Sequence, residues 1–166
     1  MNGLDRKTYY GKYRGVITDN QDPQSKGRLK ARVPDVKGDH ETTWALPCVP
    51  YAGDGLGWFM IPPVDALVWI EFENGHWDRP IWSGCFWDDG QVPASPASPE
   101  MKVLKTDSAT ITINDQQGSS SVTIETTDGL KIIMDSNGLE INNGQGATIK
   151  LSGSSVKLND DALEVT

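Results

Sequence analysis

The sequence predicts an all-β protein, with an N-terminal five-stranded barrel followed by a C-terminal repetitive β-structure. Short runs of alternating apolar and polar residues recur along the whole chain, and Gly, Pro, Asn and Asp separate them. All thirteen aromatic residues (6 Trp, 4 Tyr and 3 Phe) lie before residue 88, and all 10 prolines lie before residue 100. From Met101 to Thr166 there is no aromatic residue, proline or cysteine. The two parts must therefore solve different packing problems.

The barrel is predicted from five short strands within residues 1–91. Turn signals rich in Gly, Pro and Asn bound each strand, and a glycine-rich loop at 52–58 separates the third strand from the fourth. No segment beyond a single turn has a helical pattern. Five short strands with frequent turns are typical of a closed barrel of the OB type. The predicted strands are 9–18, 27–34, 44–50, 67–73 and 80–87.

A linker rich in Pro, Ala and Ser is predicted at 92–105, and the repetitive part occupies 106–166. This part contains seven apolar–polar–apolar units, each typical of a strand with one buried face. Each unit is too short to bury its own apolar face, and a domain of this size is marginal on its own. We therefore expect three chains to share one core in a trimeric triangular β-helix or β-prism needle. The irregular spacing leaves looped antiparallel ribbons open as an alternative.

Fourteen aliphatic side chains of these units are expected to face the trimer axis, with Thr, Lys, Glu and Asn facing outward. The expected core residues are Ile111, Ile113, Val122, Ile124, Leu130, Ile132, Leu139, Ile141, Ile149, Leu151, Val156, Leu158, Leu163 and Val165.

Charge and composition exclude several classes of function. The formal net charge of −8 argues against a partner held by phosphate neutralisation, so we expect no nucleic-acid binding. No apolar run has the roughly 18–20 residues of a membrane helix, and residues 1–6 do not resemble a signal peptide. The sequence lacks the common catalytic, phosphate-binding and metal-binding motifs, so we expect no enzyme activity, metal or cofactor. Cys48 and Cys85 are expected to be buried thiols, with a disulfide between them as the alternative.

Residues 15–84 carry an ordered set of Gly, Pro and acidic positions that resembles a known family. The segments with the most weight are Asp22-Pro23, Gly27-Arg28, Pro50-x-Ala52-Gly53, and Phe72-Glu73-Asn74-Gly75 followed by Pro80 and Gly84. Together they resemble the OB-fold domain of contractile-tail central spikes, namely phage baseplate assembly protein V and the equivalent domain of type VI secretion spikes. Residues 62–66 depart from this resemblance, because a glycine-containing turn is expected there.

The resemblance implies a structural role. It predicts a homotrimeric central spike that caps the tube of a contractile injection machine and pierces the target envelope, with membrane contact only during piercing. A separate hub protein at the front of the tube and a small pointed, PAAR-like cap at the C-terminal tip are the implied partners. Assembly is expected in the cytoplasm of the producing cell, and the product is part of a virion baseplate or an extracellular injection particle.

Two further surfaces are candidates for binding partners. Trp58, Phe59 and Met60 in the glycine-rich loop are expected to reach the hub or another neighbour, since clustered aromatic residues are typical of interface anchors. Leu163, Val165 and Thr166 at the end of the last strand are expected to hold the cap. The alternative function is a receptor- or glycan-binding tail tip, for which exposed Trp side chains would form the platform.

Overall fold

The computed structural model describes residues 7–160 and 162–165, with Glu164 and Val165 described by their backbone alone. The prediction of an all-β chain is confirmed: the described part contains one short α-helix, α1 (Pro34–Lys37), and a 3₁₀ turn at Glu73–Gly75. The chain divides into two compact units between Gly90 and Gln91, called here the N-terminal and C-terminal units. Within the described residues, no helix is long and apolar enough to span a membrane.

A five-stranded sheet forms the N-terminal unit. Its order is β2-β1-β6-β7-β3, in which β3 runs parallel to β7 and the other neighbours are antiparallel. A separate hairpin, β4–β5, occupies the glycine-rich loop. The strands are β1 (Tyr13–Asp19), β2 (Lys30–Arg32), β3 (Leu46–Pro47), β4 (Ala52–Gly53), β5 (Leu56–Gly57), β6 (Leu67–Phe72) and β7 (Pro80–Cys85).

The closed barrel predicted from the sequence is only half formed, because no continuous ladder joins β2 to the segment before β3. Isolated bridges from Leu29 to Ala45 and from Arg32 to Glu41 connect these segments. Leu29 and Ala45 exchange both backbone hydrogen bonds, at 2.7 and 3.3 Å. Prolines shorten both strands: α1 begins at Pro34 directly after β2, and Pro47 in β3 has no N–H to donate to a ladder. The N-terminal unit is therefore a half-barrel with an OB-type strand order.

The core of the N-terminal unit is mainly aliphatic. Alternate residues of β6 are buried, as period-two patterning requires. Trp82 is the buried tryptophan, and its Nε1–H donates to the Gly27 carbonyl at 3.0 Å, which satisfies its polar atom. Trp58, Trp77 and Trp87 are exposed. The buried core residues are Ile17, Leu29, Ala31, Val33, Ala45, Val68, Ile70, Phe72 and Trp82.

Asp22 organises the loop between β1 and β2. Its carboxylate accepts hydrogen bonds from the backbone N–H groups of Gln24, Lys26 and Arg28, at 2.8–3.3 Å. The Arg28 guanidinium donates to the same carboxylate, with Nη2 2.6 Å from Oδ1. The Arg28 side chain, with the help of the backbone donors, holds the pKa of Asp22 well below its usual range. This interaction explains why Asp22-Pro23 and Gly27-Arg28 occur together in the sequence.

The C-terminal unit is a single eight-stranded antiparallel sheet in which every strand pairs only with its neighbours in sequence. Within one chain the strands therefore follow the antiparallel alternative that the sequence left open. The turns between strands have only two to six residues, too few for the crossovers that winding requires. The strands are β8 (Met101–Lys105), β9 (Ala109–Asn114), β10 (Ser121–Thr126), β11 (Lys131–Asp135), β12 (Gly138–Asn142), β13 (Thr148–Ser152), β14 (Ser155–Leu158) and β15 (Leu163–Val165).

The first of these strands was not expected. β8 occupies residues that the sequence assigned to the end of the linker, and it pairs with β9 along its whole length. Its alternation is weaker than that of the later strands, because Lys102 stands where the others have an aliphatic residue.

Candidate oligomerisation interface

One face of the C-terminal sheet, called here the apolar face, carries two continuous columns of side chains. The antiparallel registers place aliphatic residues of successive strands directly opposite one another, the arrangement in which cross-strand pairs interact most closely. The first column is Leu104, Ile111, Ile124, Ile132, Ile141, Ile149, Leu158 and Leu163. The second column is Lys102, Ile113, Val122, Met134, Leu139, Leu151 and Val156, and the backbone of Val165 pairs with that of Val156 at its end.

The apolar face is not covered by its own chain. No described residue after Gly90 is buried, whereas Ile17, Val68 and Ile70 of the N-terminal unit are completely inaccessible. Ile141 and Leu151 at the centre of the apolar face are 36% and 41% exposed. Because monomeric proteins rarely expose a continuous apolar surface of this kind, the face is a candidate interface between proteins.

The opposite face, called here the polar face, satisfies its own charges. Lys131 pairs with Glu125 across β10 and β11, at 3.3 Å. Lys150 of β13 lies between Glu140 at 3.9 Å and Asp160 at 2.8 Å. The polar face therefore suits solvent, and the apolar face is the one that requires a partner.

Most of the expected core residues lie on the apolar face. Leu130 precedes β11 and lies outside the two columns, although it has the same parity as Ile132. Met134 takes the corresponding place in the second column, opposite Val122. Met134 and Leu104 were not among the expected core residues, although the alternation Leu130-Ile132-Met134 was a signal for Met134. The side chain of Val165 and the whole of Thr166 lie outside the described residues, so the predicted tip is described only at Leu163.

The predicted hub-binding segment, residues 58–60, is exposed and follows the β4–β5 hairpin. Trp58, Phe59 and Met60 are 56%, 75% and 47% exposed. The Trp58 N–H donates to the Tyr51 carbonyl at 2.9 Å, which ties the segment to the hairpin. Gly57 has a φ of +145°, and a Cβ there would lie 2.7 Å from the Tyr51 oxygen, so only glycine fits this close approach.

The two cysteines are free and exposed, which contradicts both the expected burial and the alternative disulfide. The parallel register of β3 and β7 pairs Pro47 with Trp82, so Cys48 aligns with Ser83 rather than with Cys85. Among residues 7–160 and 162–165, no group of His, Cys, Asp and Glu is arranged to hold a metal ion.

An OB-type unit with its own core, followed by a sheet whose apolar face is uncovered, defines a class of self-associating structural proteins. Residues 13–87 match the family described as the type VI secretion system/phage-baseplate injector OB domain. Residues 101–164, beginning at the first residue of β8, match the phage baseplate V C-terminal trimerisation domain. The two ranges cover most of the chain, which therefore belongs to the phage baseplate V family. No match was found among curated proteins.

Proposed function

We propose that the chain is the central spike of a contractile injection machine and works as a homotrimer. The observation that carries the proposal is the uncovered apolar face of the C-terminal sheet, which lies in the range that matches a trimerisation domain. The proposed role is mechanical and involves no catalytic step. The spike caps the front of the tube and is driven into the target envelope when the machine contracts.

In the proposed trimer, the three C-terminal sheets form the sides of a triangular β-prism. The two apolar columns of each sheet face the axis, and the polar faces of the three sheets face solvent. Eight strands spaced about 4.8 Å apart have seven spacings and give a stack about 34 Å long. Each sheet keeps the antiparallel hydrogen bonds already present in the single chain, so the trimer adds side-chain burial without rearranging the backbone.

This arrangement suits a part that carries a compressive load. Strands β9 to β14 are each hydrogen-bonded on both sides within one chain. The side chains of three sheets would then interlock along the axis at the density of a protein core, which deforms little under load. The pairing of all inner strands supports a spike rather than a flexible fibre.

Two docking surfaces complete the proposal. The exposed segment Trp58–Met60 binds a separate hub protein at the front of the tube, since large aromatic side chains anchor interfaces. The end of the sheet at β15, with Leu163, Val165 and Thr166, holds a small PAAR-like cap. The particle is assembled in the cytoplasm of the producing cell and acts outside it as part of a virion baseplate or an injection particle, touching a membrane only while piercing it.

A pair of variants in the assembled particle tests this role. Ile132→Asp places a carboxylate on the apolar face, and Thr123→Asp places the same group on the polar face. We expect cells producing only the Ile132→Asp chain to yield few complete particles and to lose delivery, whereas Thr123→Asp particles assemble and work. Normal particle numbers and delivery with Ile132→Asp would contradict the proposal.

The hub surface has its own matched test. Trp58→Ala removes a Trp from the proposed docking segment, and Trp87→Ala removes a Trp with similar exposure that lies two residues after β7. Trimers of the Trp58→Ala chain are expected to be lost from purified particles, while Trp87→Ala trimers remain. Equal retention of both variants would remove residues 58–60 from the docking surface.

A further inference from the structure

A cavity of 290 Å³ on the N-terminal unit gathers basic and aromatic side chains that the proposed spike function does not use. It is distinct from the segment Trp58–Met60 and lies entirely within the N-terminal unit. Such a concentration of basic groups is unusual here, because acidic residues outnumber basic ones in the chain. The lining residues are Lys7, Tyr9, Lys37, His76, Trp77 and Asp78.

The turn after β6 builds one wall of the cavity. Gly75 is buried with a φ of +74°, and a Cβ there would lie 3.1 Å from the Tyr10 ring. This close approach lets the Tyr9 N–H donate to the Gly75 carbonyl at 3.0 Å, which fixes the segment that carries Lys7 and Tyr9. The same turn continues into His76 and Trp77. The Tyr9–Gly75 hydrogen bond therefore holds the segment with Lys7 and Tyr9 against the segment with His76 and Trp77.

The opposite wall is the end of α1. The Gly38 N–H donates to the Pro34 carbonyl at 2.9 Å and closes the single helical turn, which leaves Lys37 at its end. The Lys37 ammonium lies 3.5 Å from the centroid of the Trp77 ring. A cation this close to an aromatic face is held in place before any ligand arrives.

Both lysines of the cavity lack a carboxylate partner. Among the described residues, no Asp or Glu oxygen lies within ion-pair distance of the Lys7 or Lys37 ammonium, and Lys7 lies 5.3 Å from the Tyr9 ring centroid. Other basic side chains of the same unit are paired with carboxylates, including Lys12, Arg28, Lys30 and Arg79. Two neighbouring unpaired ammonium groups attract an anion.

We propose that this cavity binds an anionic saccharide, a single sugar ring carrying a phosphate or carboxylate group. The ammonium groups of Lys7 and Lys37 hold the anion, and the half-exposed Trp77 ring packs against the apolar C–H face of the sugar. Asp78 lines the same cavity and accepts hydrogen bonds from sugar hydroxyls. The Asp78 carboxylate disfavours a bare polyanion. The cavity volume is at the lower end of the range for ligand sites, and this volume suits one sugar ring.

Isothermal titration of the full-length protein with mannose 6-phosphate, mannose, glucuronate and inorganic phosphate tests the proposal. We expect saturable binding of mannose 6-phosphate and glucuronate, with weaker binding of mannose and of phosphate. Lys37→Gln should weaken the binding of mannose 6-phosphate about tenfold, because a charge-assisted hydrogen bond is lost. Lys26→Gln is the matched control, since Lys26 is exposed, lies outside the cavity and undergoes the same change of charge.

The variant Trp77→Ala separates a sugar site from a general anion site. It should remove the preference for mannose 6-phosphate over inorganic phosphate while leaving the urea unfolding midpoint close to that of the parent protein. The absence of saturable binding, an equal loss in Lys26→Gln, or equal affinity for phosphate and mannose 6-phosphate would each overturn the proposal.

A surface-binding measurement then distinguishes the source of the sugar. Immobilised phosphomannan presents many copies of the same phosphorylated ring, so a protein that recognises an envelope polymer through several chains should bind it far more tightly than free mannose 6-phosphate. Comparable affinities would assign the site to a free sugar phosphate. Both outcomes require binding in this cavity. Lys37→Gln must therefore weaken the binding of phosphomannan as well as the binding of free mannose 6-phosphate.

Discussion

The two units of this chain reach stability by opposite means. The N-terminal unit buries Ile17, Val68 and Ile70 completely within its own half-barrel. The C-terminal unit has the longer and more regular sheet, yet none of its described residues is buried. Regular hydrogen bonding is therefore not a measure of independent stability, because a single sheet has no second layer to cover its apolar face.

The amino-acid compositions of the two units explain why one covers its own core and the other does not. A half-barrel curves around its interior, so the large side chains Phe72 and Trp82 can fill space between strands of one chain. Apart from Lys102 at its first strand, the apolar face of the C-terminal sheet carries aliphatic residues and one methionine, and these suit a narrow interior shared among copies. The absence of aromatic residues after residue 87 fits the limited space around the axis of the proposed trimer.

The largest effect is expected from Ile132→Asp, with Ile133→Asp as its control on the same strand. Ile132 lies in the first apolar column, whereas Ile133 pairs with Thr123 and Glu140 on the polar face. Three carboxylates near the axis would cost several kcal/mol each, so the trimer should dissociate. Sedimentation velocity should show monomers for Ile132→Asp and trimers for Ile133→Asp; similar behaviour of the two variants would invalidate the assignment of the faces.

Ile70→Ala should weaken the N-terminal unit without affecting assembly. Ile70 is completely buried, and removing it should lower the free energy of unfolding of this unit by about 2–5 kcal/mol. All 6 tryptophans lie in the N-terminal unit, so their fluorescence during urea unfolding reports on this unit alone. A loss of trimers in Ile70→Ala would show that the two units are not independent.

Protein concentration should distinguish the two units in the parent chain. In the proposed trimer each chain associates with two further copies, and a tenfold dilution costs about 1.4 kcal/mol for each added copy. A tenfold dilution should therefore reduce the stability of the trimer by about 2.8 kcal/mol. The unfolding midpoint followed by far-ultraviolet circular dichroism should therefore contain a component that falls on dilution. The tryptophan-fluorescence midpoint should stay constant, and a shift of both together would mean that the N-terminal unit also depends on association.

The smallest effect is expected from Asp22→Asn. The pKa of Asp22 in the folded state lies below its ordinary value of 3.8, so the ionised carboxylate stabilises the fold above that pH. This contribution is lost as the pH falls through the lower, folded-state pKa. Asp22→Asn should lower the fluorescence melting temperature at pH 7 by less than Ile70→Ala does, and the difference from the parent should shrink below about pH 4. A difference that grows in acid would contradict this role for Asp22.

Much of the fold could be predicted from the sequence, because it depends on local patterns. The alternation in Leu67–Phe72 and the turn at Asn74-Gly75 located β6 and its end correctly. The Gly and Pro positions from Gly15 to Gly84 identified the family, which the comparison confirms. Period-two alternation after residue 109 located the later strands and their apolar positions.

The parts that sequence reasoning missed depend on how segments meet in space. The choice between a β-helix and antiparallel ribbons stayed open, since both have the same alternation within a strand. The short β3 and the resulting half-barrel depend on how this strand pairs with the segments on either side of it, which no local pattern shows. The cavity around Trp77 also escaped notice, because Lys7, Lys37 and Trp77 are distant in sequence and meet only when the Gly75 turn and the end of α1 come together.

The central claim is that the C-terminal sheet completes its core only with two further copies of itself. Light scattering on a size-exclusion column, applied to the full chain and to a chain ending at residue 90, tests it most directly. The account predicts a mass three times the chain mass of 18.1 kDa for the full chain and a folded monomer for the shortened one. A full-length protein that elutes as an 18.1 kDa monomer at micromolar concentration would contradict it.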